Sequence, residues 1–184
     1  MLLEKYTDLL SHISERELVE ITRNLVRFQS VNPPGNELPI AKYAAEFLSK
    51  EGLEVEILEH ADNRGSLVAK LGGGNEPGLI YSGHLDVVKP EGEWHRDPFA
   101  AEVAEGKIWG RGTSDMKSGV ASIIAAVSAM ARTGLKLKGP LYLSLTAGEE
   151  TGCLGAEETI KRYPFKPVQA VFIAEPSENE VITA

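Results

Sequence analysis

Hydrophobic positions along the chain keep two different periods. Leu18, Ile21, Leu25 and Phe28 recur at helical spacing behind Ser14 and Glu17, the two members of a capping box. A first amphipathic helix is therefore predicted to about residue 29. Val-Asn-Pro-Pro-Gly at 31–35 stops it, because prolines and glycine do not continue a helix. A second helix is predicted over 37–50 on the stripe Ile40, Ala44, Phe47 and Leu48, with Gly52 as its C-terminal cap. The period then drops to two. Residues 53–58 alternate apolar and acidic and predict a strand with one wet face; 66–71 predict a second strand before a glycine-rich turn at 72–75. The apolar run at 79–83 is predicted as the central strand. A hairpin is predicted over 101–109 around Glu105 and Gly106. Met116, Val120, Ile123, Ile124, Val127 and Met130 mark a third helix ended by Gly134. A strand at 141–147, a helix at 154–163 closed by Pro164 and an apolar strand at 168–174 complete the pattern. Strands alternating with helices predict an α/β fold of three layers, helix, sheet and helix, around a mostly parallel mixed sheet with right-handed crossovers.

Composition narrows this picture without changing it. The chain has 184 residues, 42% hydrophobic and 25% charged, the balance of a globular domain with a real core. A net charge of -8 argues against a nucleic-acid partner held through phosphates. Cys153 is the single cysteine, so no internal disulfide forms, which fits a reducing compartment. No apolar run approaches a membrane span, and the first residues lack a basic stretch followed by an apolar core. No membrane partner is therefore expected, and the expected location is the cytoplasm. The glycines at 72–74 lack the lysine and hydroxyl of a phosphate-binding loop and carry no nucleotide role.

The chemistry gathers where predicted strands end. The run Leu-Ile-Tyr-Ser-Gly-His-Leu-Asp at 79–86 places His84 and Asp86 at such an end, and ligands of open α/β sheets bind there. A neutral imidazole is a common metal ligand, and a nearby carboxylate can fix its tautomer and orientation. His84 is thus read as a metal ligand and Asp86 as the group that holds it. Asp115 enters the third helix, Glu149 and Glu150 follow the strand at 141–147, and Glu175 follows the strand at 168–174. Singly, Asp115 also fits a helix cap, the glutamate pair a solvated turn, Glu175 a loop charge and His84 a core histidine. Together, one imidazole and several carboxylates form a ligand set for zinc, manganese or cobalt. His95, beside Arg96 in an irregular stretch at 90–111, is read as a surface or substrate-facing residue.

Six segments, taken in order, resemble the co-catalytic zinc peptidases and deacylases: acetylornithine deacetylase, succinyl-diaminopimelate desuccinylase, aminoacylase and glutamate carboxypeptidase. They are Ser-Val-Asn-Pro-Pro-Gly-Asn-Glu at 30–37, Ser-Gly-His-Leu-Asp-Val-Val at 82–88, Trp-His-Arg-Asp-Pro-Phe at 94–99, Gly-Arg-Gly-Thr-Ser-Asp-Met-Lys at 110–117, Gly-Glu-Glu-Thr-Gly at 148–152 and Ala-Glu-Pro-Ser at 174–177. The first is most similar to the acetylornithine deacetylase and desuccinylase branch. The resemblance implies a phosphorylase/hydrolase-like zinc peptidase fold. It implies that His84 and Glu175 bind one divalent ion, Asp115 bridges two, and Glu150 binds the second. Glu149 becomes the general base and Asp86 the partner of His84. The implied reaction is hydrolysis of an amide bond in an N-acyl amino acid by a metal-activated water, a step of amino-acid biosynthesis. A di- or carboxypeptidase and an inactive metal-binding fragment are the alternatives.

Family members continue beyond the Glu-Pro-Ser segment into a lid and dimerisation domain and then return to the catalytic domain. Only seven residues follow Ser177 here, and none is a histidine. The resemblance therefore implies that 1–184 is the N-terminal part of a metal-binding catalytic domain. The lid domain, the C-terminal catalytic segment and one histidine ligand of the second ion would be missing. In a complete chain, water or one of His12, His60 and His95 would fill that place. The expected full-length parent is a homodimer, and the 184-residue chain is expected to bind one ion well, the second poorly, and to turn over weakly or not at all.

Overall fold

The computed structural model describes residues 2–178, 180 and 182. It opens on a helix α1, Leu2–Ser11, where none is predicted. Half of the capping box then forms, because the Glu17 carboxylate turns to Arg132 rather than back to the Ser14 amide. Ser14 accepts a hydrogen bond from the Glu17 amide at 3.4 Å, and α2 runs Glu15–Arg27. The third helix, α3, runs Leu38–Lys50, with Pro39 in its first turn, where a missing N–H costs nothing. Leu25, Ile40 and Leu48 are fully buried on these two helices. Each such side chain stabilises the fold by about 1.5–3 kcal/mol relative to exposure.

Strands β1, Glu54–Ala61, and β2, Arg64–Leu71, form one antiparallel hairpin turned by Asp62 and Asn63. β1 therefore runs three residues past its predicted end at Leu58. β3 is Gly78–His84. The predicted hairpin is present as β4, Glu102–Ala104, and β5, Lys107–Trp109, with Glu105 and Gly106 both at positive φ in its tight turn. The helix α4 spans Ser118–Arg132, β6 Leu141–Thr146, α5 Leu154–Arg162 and β7 Val168–Ile173. Met116 lies before α4, in an irregular wide turn at Thr113–Lys117, rather than on the helix as its spacing predicts.

The main sheet has the order β1-β2-β6-β3-β7. β6, β3 and β7 are parallel, while β2 and β1 are antiparallel to their neighbours, so the sheet is mixed. β6, buried at all six positions, is the middle strand; β3 lies one place nearer the β7 edge than predicted. Strand alternation divides the core in two. Leu67, Ala69, Leu143 and Leu145 face α2, α3 and α4. Val68 and Tyr142 face the other way, toward Tyr163 and Phe165 after α5. These are the three expected layers, and among the described residues there is no separate lid domain. No helix among them is long and apolar enough to cross a membrane.

Candidate metal centre

Parallel pairing gathers the site. β3 runs beside β6, with His84 opposite Thr146, and beside β7, with Ser82 opposite Ile173. Their C-terminal ends share one edge, so the residues following each strand meet there. His84 closes β3 at 2% exposure. Glu149 and Glu150 begin a 3-10 turn, Glu149–Thr151, just beyond β6. Glu175 follows β7 by two residues. Gly119, in the first turn of α4, lets the segment after β7 approach, since a Cβ there would collide with the Ala174 carbonyl. Asp115 arrives from the wide turn before α4. Its φ of -119° and ψ of 101° are not helical, and its peptide bond to Met116 is cis. It does not cap α4; Lys117 occupies that position.

The two nitrogens of His84 have different surroundings. Nδ1 is 2.9 Å from the Asp86 carbonyl oxygen, which can only accept, so Nδ1 carries the proton. Nε2 faces the carboxylates instead. It lies 3.0 Å from Asp115 Oδ1, 3.6 Å from Glu175 Oε1 and 4.0 Å from Glu149 Oε2. Two triads of donor atoms, each within 4.8 Å of one another, share this imidazole: His84, Asp115 and Glu175, and His84, Glu149 and Glu150. The four carboxylates named at sequence level around His84 are thus brought together. His12, His60 and His95 join neither triad; His95 is exposed, and His60 pairs with Ser66 at 2.7 Å.

Asp86 holds His84 through its backbone. Its carboxylate, wholly buried, is 3.6 Å from Nδ1 and turns to the glutamate pair instead. It accepts hydrogen bonds from the Glu149 and Glu150 amides, both at 3.1 Å, and from Asn32 Nδ2 at 2.8 Å. Met116, also buried, accepts the His84 amide on its sulfur at 3.1 Å. Lys117 is buried and donates to the Phe28 carbonyl at 2.8 Å, tying the wide turn to the end of α2. Burial pushes its amine down to about 7, with the Asp86 charge opposing. Asn32, Met116 and Lys117 were not read as site residues. Each lies inside a family-like segment, and that membership was the available signal.

The charges crowd one another. Burial first, and then the Asp115 charge, hold the Glu150 carboxyl above the usual range. Glu175 is raised by burial and by Asp115 and Glu149, with His84 opposing. Burial alone would lower His84, yet the Asp86 and Glu175 charges and the contacts to Asp86 and Asp115 raise it overall. A divalent cation suits this donor set: an imidazole nitrogen not tied to the backbone, and carboxylates whose mutual repulsion a positive charge relieves.

The model of peptidase family M20/M25/M40 matches residues 80–183. Succinyl-diaminopimelate desuccinylase of Wolbachia pipientis subsp. Culex pipiens is 36% identical over 88% of this chain and 41% of its own length. Human carnosine dipeptidase 1 superposes with a TM-score of 0.75 at 25% identity, over 94% of this chain and 41% of that one. The Bacillus subtilis YXEP protein, described as a dinuclear metal binding peptidase, matches in fold with a TM-score of 0.63 at 21% identity, over 85% of this chain and 41% of that one. The chain thus spans about 41% of the length of these relatives. With more than half of its residues inside the family match and its strand-end acids gathered on one imidazole, the chain belongs to peptidase family M20/M25/M40.

Proposed function

We propose that this chain is the metal-binding part of a hydrolase that cleaves the amide bond of an N-acyl amino acid, of the succinyl-diaminopimelate or acetylornithine type. The observation that carries the reading is Nε2 of His84 facing Asp115, Glu175 and Glu149 while Nδ1 is tied to a carbonyl. The identity to desuccinylases supports the substrate class. His84 and Glu175 would hold one divalent ion, with Asp115 shared and Glu150 serving a second; the carboxylates gathered beside His84 and the dinuclear B. subtilis relative support this. Zinc is the first choice for an imidazole with carboxylates, with cobalt or manganese as substitutes. Such ions, when bound, acidify water and polarise a carbonyl.

The chain's own residues then divide the work. Asp86 O keeps the His84 tautomer, and the Asp86 carboxylate keeps the glutamate turn in place. Glu149, the more exposed of the pair, takes a proton from the attacking water on Oε2 and returns it to the leaving amine nitrogen. A dipeptidase reading is favoured by the fit to carnosine dipeptidase, and the two differ in the acyl group accepted.

The domain reading is part of the same proposal. Residues 1–184 form the N-terminal part of a longer catalytic domain, which supplies a lid and another ligand for the second ion. The 41% span of its relatives supports this. A direct test measures bound zinc and turnover of N-succinyl-diaminopimelate, N-acetylornithine and dipeptides by a chain of the relatives' length. A chelator should abolish turnover, and His84→Ala should lose metal. Glu149→Ala should keep metal and lose turnover by about a hundredfold or more. Full turnover in chelator, or equal metal loss in Glu149→Ala, would overturn the respective assignment.

A further inference from the structure

The segment at 30–37 has so far no part in the chemistry, yet it reaches the centre. Its backbone is fastened alongside residues 85–87. Ser30 Oγ donates to the Leu85 carbonyl at 2.6 Å, the Val87 amide to the Ser30 carbonyl at 3.0 Å, and the Asn32 amide to the Val87 carbonyl at 2.9 Å. Asn32 is therefore fixed relative to Asp86. It is 2% exposed, so water does not substitute for its partners.

The Asn32 carboxamide has two N–H groups, and both are engaged. Nδ2 lies 2.8 Å from Asp86 Oδ2 and 2.8 Å from Thr151 Oγ1. The orientation of the amide is settled by Asp86, since a carboxylate only accepts and the carbonyl end would repel it. One side chain thus bridges the carboxylate that receives the Glu149 and Glu150 amides and the residue just after them. The same segment braces the turn from behind. Glu37, fully buried, accepts from Arg64 Nε at 3.2 Å and Nη2 at 2.8 Å. Arg64 Nη2 in turn lies 2.8 Å from where a side chain on Gly148 would begin, and Gly148 has a φ of +73°. The guanidinium fills the space that glycine leaves.

We propose that Asn32 is a positioning residue that sets where Glu149 and Glu150 stand relative to His84. It controls the His84, Glu149 and Glu150 triad and leaves the His84, Asp115 and Glu175 triad alone. That second triad is held by other contacts, Met116 under His84 and Ala174 against Gly119. The consequence for metal rests on the functional reading above; the placement of the turn does not.

The test has two readouts on the 184-residue chain. Amide exchange is followed in Asn32→Leu, which keeps the volume and removes both donors, and in Thr151→Val, which removes one acceptor on an exposed residue. The Glu149 and Glu150 amides should exchange about tenfold faster in Asn32→Leu, and less so in Thr151→Val, with β3 and β6 unchanged. The double variant should add little to Asn32→Leu, since both remove one bridge. Cobalt titration should show the weaker binding event loosened by about ten- to a hundredfold and the stronger one within about threefold. Unchanged turn amides would overturn the proposal, as would equal acceleration throughout the sheet or equal loosening of both events. Should Asn32→Leu not fold, Thr151→Val decides by the same exchange criterion. Should the unaltered chain bind no cobalt, the metal reading fails, and amide exchange alone upholds or overturns the positioning role.

Discussion

At the scale of single residues, His84 is an imidazole whose proton affinity is contested. Burial disfavours its charged form, and the Asp86 and Glu175 charges favour it more. Glu150 and Glu175 also hold protons to higher pH than free carboxyls, because burial and neighbouring charges oppose their ionisation. A cation must displace those protons. The sign follows: raised proton affinities mean that acid competes earlier. Metal affinity should therefore fall as pH drops from 8 to 6, starting above the usual histidine value and losing up to about tenfold per pH unit for each proton displaced. Zinc or cobalt titration at several pH values checks this; constant affinity over that window would contradict it. His84 and its four acidic neighbours were legible because they fall at predicted strand ends or a predicted helix entry, most of them beside glycine or proline. Asn32 was not. Its partner Thr151 lies 119 residues away, and no local pattern encodes which loop meets which.

At the scale of elements, the sequence pattern located helices and strands well where burial decides, and less well where the chain turns. The α2 and α3 stripes stand at the expected positions because periodicity records a buried face. α1 was not predicted, although Tyr6, Leu9 and Leu10 recur at helical spacing, because so short a stripe is a weak signal beside those of α2 and α3. β1 was cut short because the period weakens at His60 and Ala61, while pairing with β2 extends it. The start of α4 was misplaced because Met116 keeps the apolar rhythm from a non-helical turn. Ion pairs between elements also escape periodicity. Arg132 ends α4 and grips Glu17 of α2 at 2.7 and 2.8 Å and Glu51, after α3, at 2.6 and 2.8 Å. Its bonds to Glu17 hold that carboxyl below the usual range, with burial opposing. The cluster is partly open to water, so Arg132→Met should cost about 1–2 kcal/mol in urea unfolding at neutral pH. A depressed carboxyl contributes stability above its unfolded pKa and loses it as pH falls through the folded value. The difference between the two proteins should therefore shrink below about pH 4. A cost under about 0.3 kcal/mol at pH 7 would show the pairs to be energetically idle.

At the scale of the whole molecule, the two edges of the main sheet are unequal. β1 alternates exposed and covered positions, and its charged residues blunt the edge against unwanted pairing. β7 has no such protection: Val171 is 52% exposed, Phe172 51% and Ile173 63%. Val171 pairs with Ile80 and Phe172 with Tyr81, so the exposed residues lie on both faces of the strand. No partner pairs with its outer edge among the described residues. The sequence at 168–174 predicted an apolar strand; the strand is present, and its cover is not among the described elements. Apolar side chains in this number on both faces of an edge strand favour association with further chain. On the proposal that 1–184 is part of a longer catalytic domain, the additional polypeptide covers β7. A chain of the relatives' length should then slow β7 amide exchange by about tenfold or more and bind less of an apolar-surface dye than the 184-residue chain. Val171→Lys with Ile173→Lys should lower dye binding in the short chain and destabilise the long one, because only there are those side chains buried. Equal β7 exchange in the two lengths would mean that this edge stays open in the complete protein, and the reading of 1–184 as an unfinished sheet would be withdrawn.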